Sequence, residues 1–187
     1  MNIGLKQHLF LLLTVFFLSQ NVVADVWDDA ENSIIRLHPE TFADVPTNII
    51  EELVKRDCTI PQPLSSGEPV NIISGEFAQK GQKDWAALCS KNGYSVILIF
   101  WGGLISCPSE INRSEDRNYL QDTGFGIGYS REISTVGESV IRAHFEAYGG
   151  VTPPSIEHHA IDDAFVEKGS STYYCREKEW VELTGSD

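Results

Sequence analysis

The spacing of hydrophobic and polar positions changes along this chain. Between Asp44 and Cys58 ("DVPTNIIEELVKRDC") Ile49, Ile50, Leu53 and Val54 fall on one face at helical spacing. Pro46 suits the first turn, Asp44 or Thr47 offers a capping oxygen, and Cys58 with Pro61 ends the run, so the pattern predicts a helix. From Val70 the period shortens to that of strands. "VNIISGEF", "DWAALC" and "SVILIFW" are separated by "AQKGQK" and by "SKNGY", whose Asn92-Gly93 pair is a hairpin signal. The expectation is a three-stranded antiparallel meander whose third, wholly apolar strand is buried. Although "SVILIFWGGLI" is strongly apolar, a bilayer span takes about 20 such residues, so its length suits a core strand.

Further on, residues 108–124 read as a polar, charged loop and "FGIGYSREIS" as a strand. "ESVIRAHFEAYGG" fits either a strand or a short helix ended by Gly149-Gly150; on a strand, His144 and Glu146 would share a face. "VTPPSIEHHA" is a Pro-bearing connector, and "STYYCREKEWVEL" a closing hairpin turning at Arg176 to Glu179. Ile73, Phe77, Lys80 and Gly81 recur 88 residues later as Ile161, Phe165, Lys168 and Gly169, each set leading into a Cys-bearing strand. Residues 25–43 are polar with little periodicity and read as an N-terminal arm carrying one short helical turn. Residues 44–187 read as one α+β domain, mainly an antiparallel β meander with an N-terminal helix.

The first 24 residues have a different pattern again. Lys6 precedes a ten-residue apolar run from Leu9 to Leu18, interrupted only by Thr14, and Val22 and Ala24 occupy the small-residue positions before a cleavage site, as in a secretory signal. Its loss near Ala24 removes one of 14 basic residues and none of the 27 acidic ones, leaving 13 against 27, a net charge of −14. Such a chain repels nucleic acid and anionic membrane, and suits a basic protein partner, a cation, or simple solubility. In an exported chain the even set Cys58, Cys89, Cys107 and Cys175 reads as two disulfides. Of the three connectivities, Cys58–Cys89 with Cys107–Cys175 is preferred. No C-x-x-C spacing supports zinc or thiol redox chemistry.

The stretch "GEFAQKGQKDWAALC" carries a resemblance. Gly75, Phe77, Gly81 and Asp84, with Glu76 as a conservative match, resemble the G-D-F-N-G-D-G-x-x-D hairpin of FG-GAP/VCBS-type repeats, the blade units of integrin-α-like propellers. The resemblance implies a calcium-type loop from Gly75 to Asp84, but Ala78 and Lys80 stand where two ligands belong. Calcium takes six to eight oxygens, so the loop is expected to keep its shape and hold no cofactor. More loosely, "CTIPQP" with this hairpin and "IEHHAIDDAF" resembles uncharacterised secreted bacterial proteins, which implies a compartment and no activity.

Candidate chemistry centres on Glu157, His158, His159, Asp162 and Asp163, where imidazole and carboxylate could run acid–base or metal-assisted hydrolysis; a solvated turn is the competing reading. Glu76 and Asp84 are the remaining candidates. Trp85, Trp101, Trp180, Tyr173 and Tyr174 would recognise carbohydrate or protein if they formed an exposed row, and otherwise fill the core. "NRS" at Asn112 is a glycosylation sequon in a eukaryotic host. No G-x-S-x-G, H-E-x-x-H or P-loop occurs. The expectation is a non-enzymatic, periplasmic or secreted binding or inhibitory protein engaging another macromolecule. The alternatives are a hydrolase using His158 to Asp163 and a calcium-stabilised adhesion module.

Overall fold

The computed structural model describes residues 25–124 and 126–186. The expected signal segment, residues 1–24, lies outside them. Helix α1 (Val26–Asn32) opens the described chain, and β1 (Arg36–Leu37) and a 3-10 turn at Pro39–Thr41 follow. Residues 25–43 therefore carry more structure than an arm with one helical turn, because Ala30 and Ile34 pack against Leu120 and Tyr129. Next come α2 (Thr47–Lys55) and β2 (Ile60–Pro61), which pairs with β1. α2 is the helix expected over 44–58. It is the second helix of the described chain, and it starts after Pro46 with no side-chain cap.

Two four-stranded antiparallel sheets make up the body. The first runs in sequence order, β3 (Ile72–Gly75), β4 (Asp84–Lys91), β5 (Tyr94–Phe100) and β6 (Glu110–Glu115). The polar loop expected over 108–124 thus contains a strand, a 3-10 turn (Asp116–Tyr119) and β7 (Leu120–Asp122). In β6 only Ile111 is buried, so its alternation was too weak to read. β7 pairs with β8 (Ile127–Tyr129). The single strand expected from "FGIGYSREIS" is two, divided at Ser130, because β8 stays with β7 while β9 (Arg131–Val136) joins the second sheet. That sheet continues through β10 (Ala160–Phe165), β11 (Gly169–Arg176) and β12 (Glu179–Thr184). Between β9 and β10 the ambiguous segment is α3 (Glu138–Tyr148) and not a strand, which removes the shared face of His144 and Glu146.

The inner faces of the sheets meet in one core: Phe77, Ala86, Leu88, Ile97, Ile99 and Ile111 from the first, Ile133, Ile161 and Tyr173 from the second. The outer face of the first sheet is covered by Ile49 and Leu53 of α2, and that of the second by Ile141 of α3. Layers therefore run helix, sheet, sheet, helix, which is why β4 and β5 are apolar on both sides. At the β3–β9 edge the buried Asn71 amide donates to Arg131 O (3.1 Å) and accepts from Ile133 N–H (2.9 Å), joining the sheets where no strand pairing does.

The disulfides are Cys58–Cys89, tying the end of α2 to β4, and Cys107–Cys175, tying the β5–β6 loop to β11. Among the described residues no helix is long and apolar enough to cross a membrane. The 88-residue recurrence corresponds to two hairpins, β3–β4 and β10–β11, which are the first pair of one sheet and the middle pair of the other.

Candidate functional site

Two regions hold the candidate functional side chains. The first is the end of the sandwich where the β3–β4 loop, the β5–β6 loop and the 155–159 connector meet. Asp84 organises it. Its buried carboxylate accepts from Phe77 N–H (3.0 Å) and Ala78 N–H (3.2 Å) through Oδ2, and from Gln82 Nε2 and Gly102 N–H (both 2.8 Å) through Oδ1. Gln82 Nε2 also donates to Ile105 O (2.8 Å). Both oxygens of Asp84 thus face N–H donors, which a cation would have to displace, and Ala78 and Lys80 offer no side-chain oxygen. The residues present do not fit calcium. Among the described residues no cluster of three or more His, Cys, Asp or Glu is arranged to hold a metal.

Asp84 also fixes the 101–109 loop. A Cβ on Gly102 would collide with the Lys83 carbonyl oxygen, so only glycine permits this approach, and one on Gly103 would press on the Gln82 side chain. Cys107–Cys175 anchors the far side. Trp101 stacks on Trp180 (centroids 5.9 Å, 27°), with their indole N–H groups donating to Ser109 Oγ (3.1 Å) and Pro108 O (2.8 Å). Between these restraints Leu104 is 99% exposed, and Ile105 beside it is exposed as well. Of the aromatic residues that the sequence offered as an exposed row or as core, Trp101 and Trp180 lie here half-buried. Tyr173 and Tyr174 are core, and Trp85 packs among the residues under α2.

The connector brings the histidines to the same end. His159 N–H donates to Glu76 O (3.0 Å) and Glu76 N–H donates to His159 Nδ1 (3.1 Å), which places the ring proton on Nε2. His158 stacks on Tyr174 (4.3 Å, 13°) and its Nδ1 lies 2.9 Å from His159 O. Asp162 and Asp163 are elsewhere. Adjacent on β10, they point to opposite faces of the sheet. Asp162 Oδ1 accepts from the hydroxyls of Ser170 (2.9 Å) and Thr172 (2.7 Å). So the structure gathers Glu76, Asp84, His158 and His159 at one end, and separates both histidines from Asp162 and Asp163.

The second region surrounds Asp163, between the sheets. Arg131, 0% exposed, donates to it twice, Nε to Oδ1 (2.9 Å) and Nη2 to Oδ2 (2.7 Å). Its other contacts are Ser95 Oγ (2.8 Å), Asn112 O (2.8 Å) and the ring of Tyr119 (4.5 Å). Burial favours the neutral guanidine, but the bonded carboxylate outweighs it and holds Arg131 above its ordinary range. Asn112 Nδ2 donates to Asp163 Oδ2 (2.6 Å). That is the atom a glycan would take, so the sequon is engaged in the fold.

Over this pair lies a cleft of ≈ 490 Å³ lined by Asn112, Asn118, Tyr119, Phe165 and Lys168 among others. Sequence reasoning reached Asp163 but missed Arg131, Tyr119 and Leu104. Arg131 was legible as a charge at an inward position of an alternating strand; Leu104 carried no signal beyond its two preceding glycines. Comparison of the chain with protein-family models, with curated proteins and with solved structures gives no match.

Proposed function

We propose that this chain is an exported, non-enzymatic binding or inhibitory protein that docks on a basic protein partner through the Leu104 loop. One observation carries the reading: a leucine side chain stands wholly in solvent on a loop fixed by a buried carboxylate, a disulfide and a tryptophan stack. A flexible loop would fold its leucine back on the surface, whereas one held outward is preorganised to enter a partner's apolar pocket. The ordering cost of binding is then already met in the free protein. Charge supports the nature of the partner. At −14 for residues 25–187 the chain attracts a cationic surface, which speeds encounter and makes it salt-dependent. The two disulfides fit an oxidising compartment.

The test is capture from the host's exported proteins on the immobilised, oxidised chain, run in parallel with Leu104→Asp. A basic protein that elutes with salt and binds the variant about tenfold more weakly, about 1.4 kcal/mol, is the expected result. Equal capture by both columns, or capture indifferent to salt, overturns the reading.

A further inference from the structure

We infer that the cleft between β6 and β10 is a binding site for a neutral saccharide, distinct from the Leu104 loop. The backbone is bent to make it. Pairing of β5 with β6 slips between Ser95 and Ile97, and at this bulge Asn112 takes φ = 45°, a left-handed conformation that L-residues other than glycine rarely adopt. The bulge aims the Asn112 side chain at Asp163 and across the cleft, and its carbonyl at Arg131. The floor is thereby a satisfied, charge-balanced pair that cannot shift without stranding a buried charge.

What the floor leaves free on the walls defines the ligand. Tyr119 and Phe165, edge to face at 5.5 Å and both half-buried, supply an apolar wall. Asn118 is exposed; its amide gives one hydrogen to Ser114 Oγ (3.2 Å), leaving the other and its carbonyl oxygen open. Asn112 Oδ1 accepts no hydrogen bond from the described residues, and the Tyr119 hydroxyl, which accepts from Asn112 Nδ2 (3.4 Å) and also meets the Ser114 side chain, keeps its own proton for donation. Lys168 at the rim forms no ion pair among the described residues.

Amide donors and acceptors beside an aromatic wall match a ring that presents hydroxyls around its edge and C–H groups on its face. A sugar has that pattern. An anion would find a single cation, with the Arg131 charge already balanced by Asp163, and a purely apolar ligand would desolvate both amides without compensation.

The probes are cellotriose, maltotriose and N-acetylchitotriose, titrated into the ¹⁵N-labelled, oxidised protein up to about 10 mM, a range set by the weak affinity of a shallow polar cleft. At least one should shift the side-chain amides of Asn112 and Asn118 while leaving the Leu104 amide unmoved. Phe165→Ala should weaken it about tenfold. Since that change also removes packing, Asn118→Ala at an exposed position is the second variant, expected to weaken binding about threefold with unchanged melting. Lys168→Ala should leave affinity within about twofold. Silence with all three sugars, shifts outside the cleft, or binding of inorganic phosphate that Lys168→Ala abolishes would overturn the inference. None of these outcomes depends on the Leu104 partner.

Discussion

Two buried carboxylates, Asp84 and Asp163, do opposite things with the same chemistry. Asp84 forms no ion pair among the described residues. It is held by three backbone N–H groups and one amide, and it shapes two loops into an end on which Leu104 stands fully exposed. Asp163 has a buried cation, Arg131, and the pair forms the floor of a concavity. Carboxylates that collect backbone donors fix where the chain goes, whereas those that pair with a guanidinium fix where side chains go. The first arrangement suits presentation of a residue to a partner, and the second suits reception of a ligand.

The difference predicts unequal damage. Asp163→Asn should be the most disruptive single change, because it leaves the Arg131 charge buried and unpaired, at a cost of about 3–5 kcal/mol. The double change Arg131→Met with Asp163→Leu should recover most of that loss, as the charge and its partner leave together. Urea unfolding of the three proteins would decide this. A double variant as unstable as the single would show that the pair holds the sheets by more than mutual neutralisation.

Asp84→Asn keeps the volume and turns one acceptor into a donor facing N–H groups. Its expected cost is smaller, about 1–3 kcal/mol, and should appear as faster amide exchange at Phe77, Ala78 and Gly102. Leu104→Asp should leave stability within about 0.5 kcal/mol, since the side chain touches solvent alone. A destabilised Leu104 variant would move that residue from presentation to packing.

Much of this architecture follows from local pattern. The α2 stripe, the β4 and β5 runs and the Asn92-Gly93 turn (φ 53° and 77°) are features of a few consecutive residues. β6 and the division of β8 from β9 are not, because those segments take their structure from partners far along the chain. At the candidate sites the same rule holds. "HHAIDD" is a cluster in sequence only, since alternation on β10 sends Asp162 and Asp163 to different faces and the connector takes the histidines to Glu76. Asn112, Tyr119 and Arg131 form a cluster in space only, assembled by a bulge and a 3-10 turn that leave no periodic trace.

The Leu104 end carries a strained turn that can sharpen the contrast. β11 and β12 are joined by Glu177 and Lys178, both left-handed (φ 53° and 71°), where the equivalent hairpin of the first sheet has Asn92-Gly93. Lys178→Gly relieves a steric cost of about 1–2 kcal/mol and adds unfolded-state freedom, for a net gain of about 0.5–1 kcal/mol. Thermal unfolding measures it. A loss instead would mean that the Lys178 side chain does something at this end beyond filling a turn.

The smallest effect lies behind the cleft. Arg117, on the 3-10 turn that carries Asn118 and Tyr119, bonds Asp28 of α1, with Glu31 (3.5 Å) and Asp25 (3.6 Å) near. The Arg117 hydrogen bond holds the Asp28 carboxyl below its ordinary 3.8. A carboxyl lowered in the folded state stabilises fully above its unfolded pKa, and that contribution disappears as pH falls through the native value. Acid below about pH 4 should therefore loosen α1 from the turn, with both partners exposed and the energy correspondingly slight. The Asn118 side-chain amide should shift over that range, and Asp28→Asn should flatten the response. If the Leu104 amide followed the same titration, the two regions would be coupled, and the separation between a presenting end and a receiving cleft would fail at its weakest link.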